Sequence, residues 1–314
     1  MIAFFRLIRI ANLFIVALSL SLFYYLVLVP VHFDKLYTTL LPFTGFEFII
    51  FVLSIILVAS AGNVINDYFD FEADKEFQPS RPLAKGAFTL DQVTYLHAIF
   101  LFSGIGLGFY IGWSCNNLKI GYLYIIAALL MYVYSSYLKK IPLIGNLVIA
   151  ALYAFPFVLL MMFESQFLSV INFENGNLAF AVLLLQMKYY GGFTFLLCLA
   201  REIVKDIESA EADAVFNFNT VAVQFGENIS KIIATGVLFI LLGALIFLMK
   251  GFYEAKAFPD LSYLLIVVAV PVFICIVLLF LAKEKRNYSR ISWLLKLIWL
   301  LGILSIPAFY LFNK

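Results

Sequence analysis

Nine apolar runs, each about as long as a bilayer-crossing helix, constrain this chain more than any other feature. Such a helix needs roughly 20 residues to cover the hydrocarbon. The runs lie near Leu13–Val31, Phe46–Ile65, Val93–Trp113, Ile120–Leu138, Leu143–Phe163, Leu178–Ala200, Ile232–Met249, Leu261–Ala282 and Ile291–Phe312. A soluble fold has no interior for so much apolar surface. Of the 314 residues, 64% are hydrophobic and 13% charged, whereas a soluble domain carries roughly 25% charge. Lipid must therefore be the solvent for most of the chain. The expected class is all-α, a polytopic membrane protein with nine transmembrane helices in a lipid bilayer. No basic tail or Gly/Ser-rich linker interrupts the pattern, so residues 1–314 read as a single domain. Pro156, Pro271 and Pro307 fall inside runs, which membrane helices tolerate when neighbours re-satisfy the backbone.

The remaining charges set orientation and exclude several classes. A net charge of +2 is too small to argue for a nucleic-acid partner. Cys115, Cys198 and Cys275 are isolated, with no spacing that suggests a disulfide framework or a zinc site. His32 and His97 stand alone. Arg6 and Arg9 precede the first run and no small-residue cleavage site follows, so that run reads as a span. With the N-terminus inside, the cytoplasmic segments hold 14 Lys and Arg. The other side holds five: Lys35, Lys119, Lys250, Lys256 and Lys314. Basic residues concentrate on the cytoplasmic side. The N-terminus is thus expected in the cytoplasm and the C-terminus outside. Lys188 and Lys296 fall within spans. For Lys188, snorkelling to the outer surface competes with a functional role.

The acids are gathered in two places. Of 19 Asp and Glu, five lie in 67–76 and five in 202–213. By the span count both windows emerge on the cytoplasmic face. Asn66, Asp70 and Asp74 are spaced i, i+4, i+8, which stacks them on one face of a helix. Glu202, Asp206, Ser209 and Asp213 follow one another by four, three and four residues, again one face. Like charges at this spacing destabilise a helix unless something neutralises them. Rows of oxygen ligands suit Mg²⁺, which commonly shares its shell with substrate phosphate oxygens. Neighbouring Lys and Arg suit the phosphate oxygens that the metal leaves free. The competing reading is a solvated acidic loop after each helix, paired with Lys75, Arg81 and Lys205.

The stretch Asn66-Asp67-Tyr68-Phe69-Asp70-Phe71-Glu72-Ala73-Asp74, followed by Arg81-Pro82-Leu83, resembles the first signature of the UbiA superfamily of intramembrane prenyltransferases. Arg201-Glu202-Ile203-Val204-Lys205-Asp206-Ile207-Glu208 resembles the second. It looks most like the branch that makes digeranylgeranylglyceryl phosphate. Tyr134-Ser135, Leu138-Lys139 and Gly145-Asn146 resemble a third stretch. The resemblance implies nine helices around a central cavity. It implies metal ligands at Asn66, Asp70, Asp74, Glu202, Asp206 and Asp213. Diphosphate contacts fall to Arg81 and Lys139, with Tyr134 lining the pocket near them and Asn66 touching substrate. Arg9 and Asn12 are further substrate-binding candidates. Asp70, Asp206, Lys139 and Arg81 form the implied catalytic set. Ser209 stands where many relatives carry Asp, and Ala212 where Gly is common.

The expected reaction is Mg²⁺-dependent transfer of a prenyl group from a polyprenyl diphosphate to a lipophilic acceptor within the membrane. Metal and cations would stabilise the departing diphosphate. Tyr68, Phe69 or Tyr134 could stabilise the allylic cation. The acceptor is either a geranylgeranylglyceryl phosphate-type lipid or an aromatic quinone precursor. All branches share the diphosphate motifs, which leaves that choice open. A catalytically degenerate homologue and a transporter are the readings of other classes. The active site is expected to face the cytoplasm.

Overall fold

The computed structural model describes residues 1–31, 43–170 and 178–312, with side chains left out at 164–170 and 178–180. His32, Lys35 and Lys314 lie outside the described residues. Among the described residues nine helices are long and apolar enough to cross a membrane, and each matches an expected span. This is an integral membrane protein. A short α1 (Ile2–Leu7) meets α2 (Ile10–Phe23), which continues through a wide π-helical turn at Tyr24–Leu28. Then follow α3 (Gly45–Phe69), α4 (Phe71–Phe77), α5 (Leu90–Ser114), α6 (Lys119–Ser136), α7 (Ile144–Val170) and α8 (Leu178–Val215). The chain ends with α9 (Val221–Glu254), α10 (Phe258–Tyr263), α11 (Val270–Leu281), α12 (Lys285–Ile303) and α13 (Ser305–Phe312).

The helices α3 and α5, which lie either side of the first acidic region in sequence, are each started by their own side chains. Thr44 Oγ1 accepts from the Glu47 N–H at 3.2 Å, and the Glu47 carboxylate accepts from the Thr44 N–H at 2.8 Å. Thr89 and Gln92 repeat this reciprocal cap at the start of α5. Each cap satisfies N–H groups that a helix start leaves without partners. The prolines are accommodated locally. Pro271 stands in the first turn of α11, where no N–H is needed, directly after a π-helical stretch at Leu264–Ala269. Pro307 sits in the first turn of α13 for the same reason.

The chain packs as two compact units. One comprises residues 1–21, 32–138 and 156–181. Its core is α3 against α5 and α6. A Cβ on Gly104 would lie 2.7 Å from Val58 Cγ2 and 2.9 Å from the Val58 nitrogen, so only glycine lets these backbones approach. Ser54 Oγ lies 2.8 Å from Tyr124 Oη, which gives the buried phenol a partner. Phe43, Phe51 and Phe163 stack at one end of this core.

The other unit comprises residues 22–31, 139–155 and 182–314. Here α8 and α12 run antiparallel. Tyr190 Oη meets Ser305 Oγ at 2.9 Å, Gly302 closes on Phe193, and Trp299 Nε1 donates to Thr194 Oγ1 at 3.3 Å. Near the start of α9, Gly226 takes φ 81°, a left-handed value open to glycine, and kinks the helix. Beyond the kink, Lys231 Nζ bonds both Glu227 Oε1 and the Ala282 carbonyl, each at 2.6 Å.

Two helices extend past the expected spans. The sixth run ends near Ala200 by hydropathy, yet α8 continues unbroken to Val215. The seventh begins near Ile232, yet α9 begins at Val221. Both extensions are polar and carry the helix beyond its apolar part. Lys188 lies on α8 with an exposed side chain.

Candidate active site

The first acidic row straddles a break. The helix α3 ends at Phe69, and Asp70 sits at the junction with φ −86° and ψ −3°. The register nevertheless survives. The Asp70 N–H donates to the Asn66 carbonyl at 3.0 Å, and the Asp74 N–H to the Asp70 carbonyl at 2.8 Å. Asn66, Asp70 and Asp74 therefore keep the one-turn spacing of a continuous helix. Asn66 Nδ2 donates to Asp70 Oδ2 at 2.8 Å.

Arg81 closes over this row from the turn after α4. Its Nη1 donates to Asp74 Oδ2 at 2.8 Å and stands 3.8 Å from Asp67 Oδ1 and 3.9 Å from Asp70 Oδ2. Its Nε donates to Gln78 Oε1 at 2.9 Å, which fixes the guanidinium plane. Burial pushes the Asp74 carboxyl up to about 6, a rise that Asp70 and Asp67 reinforce and Arg81 opposes. The row thus carries more negative charge than one arginine neutralises.

Arg9 joins from the other side. It occupies the corner between α1 and α2 with φ 55°, and its Nη2 donates to Asp67 Oδ1 at 3.0 Å. Asn63 Nδ2 holds that corner by donating to the Ile8 carbonyl at 2.9 Å. Asn12 lies one turn further along and is half-buried. Asp67, only 4% exposed, is the residue that the sequence reading left without a role. It orients both arginines, and its place inside the first signature was the one available signal.

The second row lies wholly on α8. Glu202, 6% exposed, accepts from Arg201 Nη1 at 3.0 Å and from Lys205 Nζ at 2.8 Å. Asp206 Oδ2 accepts from Asn146 Nδ2 at 2.9 Å, across from the start of α7. Asp213 Oδ2 accepts from Ser209 Oγ at 2.9 Å and Thr220 Oγ1 at 3.2 Å. The Ser209 hydroxyl, with one proton, stands within reach of both Asp213 Oδ2 at 2.9 Å and the Lys205 carbonyl at 3.0 Å. Asn146 stands in the third signature stretch, but only the fold reveals its contact with Asp206. Lys139 lies in the turn Leu138–Lys140, its Nζ 5.9 Å from the Phe218 ring centroid. Tyr134 is half-buried in the last turns of α6. Phe69 packs edge-on against Tyr68 and Tyr132, each at 5.6 Å between centroids.

Among the described residues no three Asp, Glu, His or Cys side chains converge as a metal cage. The donors are instead strung along helices and held by cations and amides. Carboxylate, amide and hydroxyl oxygens are the donor set that a hard divalent cation such as Mg²⁺ takes. Such an ion leaves part of its shell to water or substrate oxygens. The residues present fit that ion.

Helices of bilayer length, with a carboxylate row beside cations in each of the two units, define an integral membrane protein with polar, charged regions at helix ends. The chain belongs to the UbiA prenyltransferase family, whose model matches residues 27–301. It is a membrane prenyltransferase. A digeranylgeranylglyceryl phosphate synthase of Methanothermobacter thermautotrophicus is 31% identical over 267 residues, covering 84% of this chain and 85% of its own. A solved structure of a digeranylgeranylglyceryl phosphate synthase is similar, with a TM-score of 0.64 and 24% identity. It covers 97% of this chain and 96% of the other. A UbiA homologue from Archaeoglobus fulgidus, solved with GPP and Mg²⁺, has a TM-score of 0.58 and 15% identity. Here the coverage is 97% and 99%.

Proposed function

We propose that this protein transfers a prenyl group from a prenyl diphosphate to the free hydroxyl of a geranylgeranylglyceryl phosphate-type lipid, using Mg²⁺. The observation that carries the reading is the position of Arg81, whose Nη1 lies within 4 Å of three carboxylates. A point that gathers so much negative charge is one where positive charge is held firmly. Asn66, Asp70 and Asp74 would hold Mg²⁺ on the first row, and Glu202, Asp206 and Asp213 on the second. Such ions would leave coordination positions for diphosphate oxygens. The named activity of the Methanothermobacter relative supports the acceptor class. The family match from 27 to 301 supports a single catalytic domain.

Bound Mg²⁺ supplies Lewis-acid stabilisation of the diphosphate leaving group. Arg81 beside the first row, and Lys139 in its own unit, would each serve as donors to phosphate oxygens, adding charge stabilisation that grows as the C1–O bond breaks. Arg9 and Asp67 keep Arg81 in place. Tyr134, Tyr68 and Phe69 offer ring faces to the allylic cation, worth about 0.5–2 kcal/mol each. Surrounding apolar side chains exclude water that would otherwise capture the cation. The acceptor hydroxyl then bonds to C1 and loses its proton. The bias of basic residues, 14 against five, supports an N-terminus and active site on the cytoplasmic side.

The test is a product assay in nanodiscs with Mg²⁺, geranylgeranyl diphosphate and a panel of acceptors, read by mass. The expected product is the diether phosphate, with none in EDTA and none from Asp70→Ala or Asp206→Ala. Product on an aromatic acceptor alone would overturn the acceptor reading. Full turnover in EDTA would overturn the metal reading.

A further inference from the structure

Lys296 is a cation within an apolar membrane-length segment that the reaction described above does not use. It stands in α12, well inside the segment Lys285–Phe312, and is half-buried. An ionisable side chain inside a bilayer is costly, and it persists where it pairs or serves a ligand. Among the described residues Lys296 has no hydrogen bond and no ion pair. Its charged neighbour is another cation, Arg201 of α8.

The helix register explains this meeting. Tyr190, Thr194, Leu197 and Arg201 share one stripe of α8, at helical spacings of four, three and four. Gly302, Trp299 and Lys296 follow one another at spacings of three on α12, and Ser305 continues the series at the start of α13. The contacts Tyr190–Ser305, Phe193–Gly302 and Thr194–Trp299 align these stripes antiparallel. Continuing them brings Arg201 towards Lys296. Two like charges are therefore near enough to repel one another.

Arg201 is itself incompletely satisfied. Its Nη1 donates to Glu202, but its Nε is buried without a partner. A buried N–H of a charged group left unpaired is costly. Lys296 and the Arg201 Nε together lack an anion, and hydrocarbon cannot provide one.

We propose that Arg201 and Lys296 bind the phosphate monoester of the acceptor lipid. The inference rests on the acceptor reading above and adds the residues that select it. Arg201 is the residue next to Glu202, so the pair lies at the membrane end of the second row. In a glycerol ether phosphate the reacting hydroxyl is on the carbon next to the one bearing phosphate. An anchor for that phosphate must therefore lie close beside the metal row, as this pair does. An aromatic acceptor without a phosphate has no use for two cations there.

The experiment compares wild type, Lys296→Met and Lys296→Arg in zwitterionic nanodiscs. It measures KM separately for geranylgeranyl diphosphate, for the glycerol ether phosphate and for Mg²⁺. Losing one charge-assisted hydrogen bond raises KM by roughly tenfold to a hundredfold. Lys296→Met is expected to raise the acceptor KM by that factor and leave the diphosphate and Mg²⁺ values near wild type. Lys296→Arg is expected to recover most of the acceptor affinity. Binding of the non-reactive acceptor methyl ether, measured without diphosphate, should weaken in parallel. An unchanged acceptor KM in a folded Lys296→Met overturns this proposal and leaves the reaction intact. A raised diphosphate KM instead would assign the pair to the donor and overturn it equally. Wild type that prenylates only aromatic acceptors overturns both the proposal and the acceptor reading. Repeating the assay in anionic nanodiscs separates a bilayer headgroup from the acceptor. A Lys296-dependent effect confined to anionic lipid, with no change in acceptor KM, overturns the proposal.

Discussion

Arg81 Nη1 donates to Asp74 Oδ2 at 2.8 Å while remaining within 4 Å of Asp67 and Asp70. One guanidinium thus balances a row of carboxylates that repel one another. Arg81→Ala removes that balance. In EDTA the variant is expected to unfold more easily than wild type, by on the order of 1–3 kcal/mol, the usual cost of unsatisfied buried polar groups. Saturating Mg²⁺ should restore part of that loss, since the ion supplies positive charge to the same row. Turnover should fall roughly a hundredfold or more, as for loss of one charge-stabilising donor. Thermal unfolding in detergent with and without Mg²⁺ checks the first point. Equal melting of the two proteins in EDTA would show that Arg81 does not hold the row.

Asp74 as a ligand of the proposed Mg²⁺ would make metal binding depend on pH. Burial raises its carboxyl from 3.8 to about 6 in the fold. A raised carboxylate favours the protonated protein. Without metal, this group contributes stability that is full below its unfolded value near 4 and is lost as pH rises through 6. Mg²⁺ binds only the ionised form, so proton and metal compete. The Mg²⁺ concentration for half-maximal turnover is therefore expected to rise as pH falls from 7.5 to 5.5. Asp74→Asn should need more Mg²⁺ at every pH and show a flatter dependence. A wild-type Mg²⁺ requirement that is constant across this range would contradict the assignment of Asp74 as a ligand.

Much of this was legible in the sequence. Nine apolar runs of bilayer length anticipate the nine membrane-length helices among the described residues, because lipid permits few other solutions. The spacing of Asn66, Asp70 and Asp74 survives even though α3 stops at Phe69. The true ends of α8 and α9 were not legible, since hydropathy follows the bilayer and a helix need not stop where lipid does. The partners of the site were hidden for a different reason. Arg9 and Asp67 are 58 residues apart, and Asn146 and Asp206 are 60 apart. Such pairs arise from tertiary packing, which local periodicity does not encode. Spans apolar on every side also conceal which face meets protein.

Ser209 stands where many relatives carry Asp, and in the structure its hydroxyl reaches Asp213. Its hydroxyl lies 2.9 Å from Asp213 Oδ2 and 3.0 Å from the Lys205 carbonyl. Ser209→Ala removes one hydroxyl from beside Asp213 and keeps the longer Thr220 contact at 3.2 Å. A net hydrogen bond is worth about 0.5–1.5 kcal/mol, so the Mg²⁺ requirement should rise roughly two- to tenfold. Ser209→Asp places a new carboxylate one turn from both Asp206 and Asp213. It should bind Mg²⁺ more tightly yet melt lower in EDTA, because like charges then crowd one helix face. Mg²⁺ titrations of turnover beside melting curves check both variants. Indifference of Ser209→Ala in the titration would remove Ser209 from the site.

The Arg9 corner combines a backbone constraint with a charge, and two substitutions separate them. Arg9 holds φ 55°, a left-handed conformation that costs a non-glycine residue roughly 1–2 kcal/mol. Its side chain pairs with Asp67, which is nearly inaccessible while Arg9 itself is partly exposed. Arg9→Gly relieves the backbone and removes the guanidinium. Arg9→Ala removes the guanidinium and keeps the backbone cost. Both leave Asp67 to draw on Arg81, which then serves Asp74 less well. Both variants should therefore raise the KM for prenyl diphosphate by a similar factor, roughly two- to tenfold for one lost hydrogen bond. They should differ in stability, with Arg9→Gly melting above Arg9→Ala by a margin equivalent to about 1 kcal/mol. Arg9→Lys, which keeps the charge, should recover part of the KM. If Arg9→Gly matched wild type in KM, the corner would act through its backbone alone, and the pairing of Arg9 with Asp67 would have no part in holding the diphosphate.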